Sequence, residues 1–116
     1  MALVEVTFQI PLKEDETIGT GTRHTPIRWR ALLDVLYQEF SGWTDAGKTR
    51  GMWADAAGKP VFDKCRVFKV DVPEERLGEM RMLLRRACHT FAQQCIRAVI
   101  RGESEYIARE PDDEPL

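Results

Sequence analysis

Apolar and polar residues alternate without a break from Leu3 to Ile10. Val4, Val6, Phe8 and Ile10 fall on one side, and Leu3, Glu5, Thr7 and Gln9 on the other. A period of two predicts a strand with one buried face, and Pro11, which has no N–H for a sheet ladder, ends it. The polar run from Lys13 to Arg23, punctuated by Gly19 and Gly21, predicts a mobile loop. The period then changes. Thr25-Pro26 reads as a helix start, a hydroxyl cap followed by proline where no N–H is needed. Trp29, Leu32, Leu33, Leu36 and Phe40 recur at helical spacing as far as Ser41-Gly42.

Beyond Trp43 the pattern predicts a loop and then a strand around Arg50 to Ala54. A turn follows at Ala56-Ala57-Gly58-Lys59-Pro60, then a long strand from Val61 to Val72. Phe62, Phe68, Val70 and Val72 share a parity with Lys64 and Arg66, so the first half of that strand is expected to run past the edge of the core. Pro73-Glu74-Glu75 opens a second helix with acids at the positive end of its dipole. Its apolar face is Leu77, Met80, Leu84, Ala87, Cys88 and Phe91, which leaves Arg81, Arg85 and Arg86 on a solvated face. Gln94 to Arg101 alternates as a last full strand, and Tyr106-Ile107 adds a short edge strand after Gly102. The order β-α-β-β-α-β predicts an α+β domain of the ferredoxin-like kind, with one antiparallel sheet and both helices on one face. It spans residues 1–109, and an acidic flexible tail follows at 110–116.

Composition narrows the function classes. A chain of 116 residues, 43% apolar and 31% charged, holds one small core. From Gly102 onward Arg109 is the one base against six carboxylates, which leaves only a weakly basic body. That charge is too small for a nucleic-acid footprint. No apolar run reaches the length of a membrane span, and the start of the chain lacks the basic and apolar regions of a signal peptide. Three cysteines without C-x-x-C spacing predict free thiols in a cytoplasmic protein.

Gly42-Trp43-Thr44-Asp45-Ala46-Gly47-Lys48-Thr49 matches the phosphate-loop pattern letter for letter. That motif works only between a strand and a helix whose first N–H groups face the phosphate. Here a helix precedes it and Arg50-Gly51-Met52-Trp53 opens none, so the match is read as a glycine-rich turn. Trp43 and Trp53 flank Arg50 and Gly51. Either Trp43, Arg50 and Trp53 form an aromatic pocket with an anion anchor, or the indoles close the end of the core. The core reading is the expectation for Trp53, and the pocket stays open for Trp43. His24 and His89 lie in different elements with no ligand spacing, so no metal and no cofactor are expected. Cys88 and His89 are adjacent in a helix and point about 100° apart, which argues against a nucleophile pair. Asp45, Asp55, Glu39 and His89 are the acid or base candidates, none of them in a catalytic motif.

The outward sheet face is expected to carry Glu5, Thr7 and Gln9, then Cys65, Val67 and Lys69, then Arg97, Val99 and Arg101. It has none of the stacked aromatics of an RNA-binding sheet. Its mixture of charge and valine suits a homodimer through the open sheet face.

Phe40, Gly42-Trp43-Thr44, Gly51-Met52-Trp53, Phe91-Ala92-Gln93-Gln94 and Gly102 together resemble a group of short bacterial ferredoxin-like proteins with a GWT … GxW … FxQ pattern. The resemblance implies the fold, a small protein of the kind carried on mobile elements, and no activity; Gln94 stands where that pattern has an acid. The functional expectation is therefore a small ligand-binding or assembly module without a catalytic motif, taking a small anionic ligand, and neither nucleic acid nor membrane. The alternative is a small cofactor-independent enzyme of the dimeric α+β-barrel type, using a pocket near Trp43 and Trp53.

Overall fold

A computed structural model of the chain describes residues 2–116. β1 (Leu3–Pro11) is the centre of the sheet, pairing antiparallel with β3 (Pro60–Pro73) on one side and β4 (Cys95–Ile100) on the other. The register sets Phe8 opposite Phe68 and Ala98, and Val6 opposite Val70 and Ile100, so the buried parity of all three strands coincides. β2 (Thr44–Ala54) adds outside β3 and β5 (Glu103–Ala108) outside β4, giving the order β2-β3-β1-β4-β5 with every neighbour antiparallel. α1 (Pro26–Phe40) contributes Leu32 and Leu36 to the core, and α2 (Leu77–Thr90) contributes Leu77, Met80, Leu83, Leu84, Ala87 and Cys88. The fold is α+β, a five-stranded antiparallel sheet with two helices.

Local chemistry sets the element ends. Thr25 is extended as a cap residue should be, yet its hydroxyl makes no cap bond; the N–H of Arg28 donates to the Thr25 backbone carbonyl at 3.2 Å. Ser41 closes α1 in the left-handed region (φ 66°), and its N–H donates to the Tyr37 carbonyl. Glu74 to Arg76 form a separate 3-10 turn ahead of α2.

Three expectations change. The segment from Lys13 to Arg23 is tied down. A bridge joins Lys13 to Arg23, and the Glu14 carboxylate accepts from the N–H and hydroxyl of Thr20 at 2.8 and 2.9 Å and pairs with Arg28 at 2.7 Å. Residues 110–116 likewise run along α2, because Arg85, Arg86 and His89 supply the donors that their carboxylate and carbonyl groups need. Third, β2 starts at Thr44 rather than near Arg50, and every one of its residues is exposed. With the first half of β3 it forms a two-stranded arm, which draws the molecule out to 45 × 28 × 28 Å. Trp53 lies on that arm, 51% exposed, with Nε1 donating to Asp63 at 2.8 Å; it does not close the core, because no helix reaches that far along the sheet.

Candidate functional site

The last six of the phosphate-loop letters, Thr44 to Thr49, fall inside β2, and Gly42 and Trp43 lie just before it. The strand bulges between Asp45 and Lys48, Gly47 sits at φ +92°, and Asp45 Oδ1 accepts its N–H at 2.9 Å. No helix follows, so the N–H groups that cradle a phosphate are not assembled.

A groove of about 580 Å³ opens between α1 and the start of β2. Its walls are Trp29, Leu33 and Tyr37 from α1, Trp43 just before β2, Arg66 from β3 and His24 ahead of α1. Trp29 is half-buried, its ring 4.8 Å from Phe91 and 6.1 Å from Phe68. Trp43 stands edge-on to Phe68 at 6.4 Å, with 39% of its surface open. Arg66 comes from the core-facing parity of β3. Its guanidinium lies 5.0 Å over the Trp29 ring and 4.9 Å from the Phe68 ring, and Nη2 meets Asp45 Oδ2 at 3.1 Å. The Arg66 cation is thus held by two aromatic faces and one carboxylate, in a groove whose aromatic and apolar walls are edged by Arg30, Asp34 and Gln38 of α1. The Gly47 N–H, and then Arg66, hold the Asp45 carboxyl below its ordinary value, so it stays an anion.

His24 is buried against Trp29 and Phe91. Arg28 Nη1 donates to its Nδ1 at 3.1 Å, which leaves the proton on Nε2. That nitrogen has no hydrogen-bond partner among the described residues. Burial first, and then the charge of Arg28, push the imidazole below its ordinary value of 6.5, while the Pro11 carbonyl and Glu14 pull the other way. The ring is neutral at neutral pH.

The structure does not gather the three site residues expected from sequence. Trp43 lines this groove, whereas Arg50 and Trp53 line a second, wider one between the arm and the 12–23 segment. The acid and base candidates have structural work. Asp45 pairs with Arg66, Asp55 caps the arm's turn by accepting from the N–H groups of Ala57 and Lys59, and Glu39 pairs with Arg76. His89 accepts from Arg109 and donates to the Glu110 carbonyl. Burial raises all three thiols, Cys65 to about 11 and Cys88 to about 12, so none supplies a thiolate nucleophile. Trp29, Tyr37, His24 and Arg66 are the residues that sequence reading missed. Arg66 did leave a signal, a lone cation on the buried parity of a core strand.

No family model matches the chain, and no curated protein matches it by sequence. Among solved structures it is similar to a phage SAM lyase in complex with S-methyl-5'-thioadenosine. The TM-score is 0.68 at 14% sequence identity, over 94% of this chain and 92% of that one. At this identity the likeness establishes a shared fold. It overturns the expectation of a binding or assembly module without catalysis, because nearly the whole chain follows the fold of an enzyme. Among the described residues no helix is long and apolar enough to cross a membrane.

Proposed function

We propose that the chain is a small lyase acting on an adenosyl sulfonium compound of the S-adenosylmethionine type, and that the groove beside Arg66 is where the substrate binds. The observation that carries this reading is the coincidence of the two findings. The fold matches a SAM lyase end to end, and the groove combines indole rings with one anchored guanidinium. Each part of such a substrate has a counterpart there. An adenine ring is flat and apolar on its faces, and Trp43 offers an open indole edge and face for stacking. An amino-acid carboxylate suits the planar fork of Arg66. The two tryptophans offer π-faces to the sulfonium charge.

The chemistry asks little of the protein beyond positioning. A sulfonium carbon–sulfur bond breaks with both electrons going to sulfur, and the leaving group is a neutral thioether. The substrate's own carboxylate oxygen can form the new bond to that carbon, closing a lactone as S-methyl-5'-thioadenosine departs. Atoms and charge balance without water, metal or redox partner. The residues then serve to fold the substrate so that carboxylate and carbon approach in line, which is the contribution of orientation to rate. Arg66 holds the carboxylate end, and Trp29 and Trp43 hold the nucleoside end.

Two finer readings go with this one. The run β2-β3-β1-β4, with residues of both helices in one core cluster, supports a ferredoxin-like arrangement that β5 extends. The outward sheet face, where Lys69 pairs with Glu5 and Val99 is half-buried, remains our proposed contact with a second copy.

The test is incubation with S-adenosylmethionine alone, following S-methyl-5'-thioadenosine by chromatography against a protein-free control for spontaneous breakdown. Release well above the control, abolished in Arg66→Met, supports the reading. Release no faster than the control, together with no calorimetric binding of either compound, would sink it.

A further inference from the structure

The outer face of α2 takes no part in the proposed chemistry, yet it carries a dense set of contacts. Arg85, Arg86, His89 and Thr90 form one stripe of the helix, and residues 110–116 lie along it without regular secondary structure. Arg85 forks onto the Asp113 carboxylate with bonds of 2.9 and 2.8 Å, and that carboxylate side chain is only 12% exposed. Arg86 donates to the carbonyls of Glu114 and Pro115 at 3.1 and 3.2 Å. His89 Nε2 donates to the Glu110 carbonyl at 2.6 Å, its tautomer fixed by Arg109, which donates to Nδ1 at 3.0 Å. The Leu116 N–H donates to Thr90 Oγ1 at 2.8 Å, and the Leu116 side chain packs against the core.

The division of these contacts is informative. Several go to the main chain of the segment, which turns at Pro111-Asp112 with the Asp113 N–H donating to the Glu110 carbonyl at 3.2 Å, so they recognise the backbone course rather than particular side chains. Two go to its side chains: the carboxylate at 113 and the apolar anchor three residues later. Asp112, immediately before the first of them, is exposed and untouched. The segment has no structure-forming tendency of its own, since it is acidic and carries Pro111 and Pro115. Its course is imposed by donors on one helix, and peptide-recognition surfaces work in this way, reading acidic motifs with clustered arginines.

We propose that this face of α2 is a binding site for an acidic peptide bearing a carboxylate three residues before an apolar anchor, and that residues 110–116 occupy it in cis. The arginine stripe is then a receptor already holding its ligand. Its affinity is masked in the full chain, because a tethered segment is present at high effective concentration. The inference stands independently of the lyase reading.

The experiment uses residues 1–109, confirmed as folded by circular dichroism and a cooperative melt. The probe is a fluorescein-labelled peptide of residues 110–116, amidated so that no terminal carboxylate takes part. Saturable binding in trans is expected, at least tenfold weaker for the peptide with Asp113→Asn and unchanged for Asp112→Asn. The full chain should bind the same peptide at least tenfold more weakly than residues 1–109. No saturable binding to the folded shortened chain, or equal binding of the Asp113→Asn peptide, overturns the proposal. Should the shortened chain not fold, the full chain decides by amide exchange. Arg85→Met must strip protection from the Leu116 N–H while Asp112→Asn leaves it, and retained protection in Arg85→Met refutes the site.

Discussion

Replacing Arg66 with methionine separates what its guanidinium does for the fold from what it does for a ligand. In the free protein the guanidinium has two aromatic neighbours, at 5.0 and 4.9 Å, and one carboxylate at 3.1 Å. A cation–π contact at a partly exposed site is worth about 0.5–1 kcal/mol. The ion pair adds little, because the Asp45 side chain is 42% exposed and surface pairs contribute about 0–1 kcal/mol. Methionine recovers part of the stacking through its thioether, whose contact with a ring is worth roughly 0.3–1.5 kcal/mol. The expected net cost is about 1 kcal/mol in a urea melt. The ligand side is larger. A hydrogen bond between charged partners in a desolvated groove is worth about 1.5–3 kcal/mol, or roughly 10- to 150-fold in affinity. That loss should appear for S-adenosylmethionine, which has a carboxylate, and be absent for S-methyl-5'-thioadenosine, which has none. Calorimetry on both compounds reads the difference directly. Equal weakening of the two would mean that Arg66 shapes the groove rather than grips the carboxylate, and no weakening of either would place the substrate elsewhere.

Trp53→Ala should cost about 1–2 kcal/mol, well under the ~3–5 kcal/mol of a buried aromatic, because half of the indole is already in water; Phe8→Ala, at 1% exposure, should reach the full figure in the same melts. Thr20 and Arg28 hold the Glu14 carboxyl down from 4.5 to about 2, so it stabilises the fold fully above its unfolded value. That support is lost as pH falls from about 4.5 through about 2, and Glu14→Gln should flatten the fall in melting temperature over this window. His24, also depressed, works in the same direction at higher pH: stability should drop as pH falls below 6.5, and His24→Phe should remove that component. Against a thiol-reactive disulfide at pH 8, partly exposed Cys95 should react first, with Cys88 protected until the protein unfolds; early labelling of Cys88 would contradict its burial.

The elements with a strong period were legible from the sequence alone. The alternation of Val4 to Ile10 and the helical spacing of Trp29 to Phe40 each report a single buried face, and burial is what the period encodes. β2 was only half legible because it has no buried face. Thr44 to Lys48 show no alternation, and a strand held by its ladder with β3 alone leaves no hydrophobic signature. The tail misled for a related reason. Its carboxylates suggest solvent when read alone, and the arginines that hold it, Arg85 on the Asp113 carboxylate and Arg86 on main-chain carbonyls, lie on α2, more than twenty residues away in sequence. Gln93 was visible only as a letter in a pattern; its buried amide donates to the nearby Phe91 carbonyl at 2.9 Å and to the Lys13 carbonyl at 2.8 Å, the latter across a chain separation no local pattern reveals. The site was the least legible part. Trp43 was singled out, but its partners Trp29 and Arg66 come from a helix and a strand whose patterns report core packing first.

The arm gives the molecule two unequal rates of change. No side chain of β2 is buried, so a substitution there leaves the packed layer between sheet and helices untouched, and few such changes approach the stability threshold of a domain this small. The groove has no such freedom. Trp29 and Arg66 rest on Phe68 and Phe91, which are fully enclosed, so reshaping the groove means altering the interior. Descendants of this chain can therefore diversify what the arm presents to its surroundings much faster than they can change the shape of the groove.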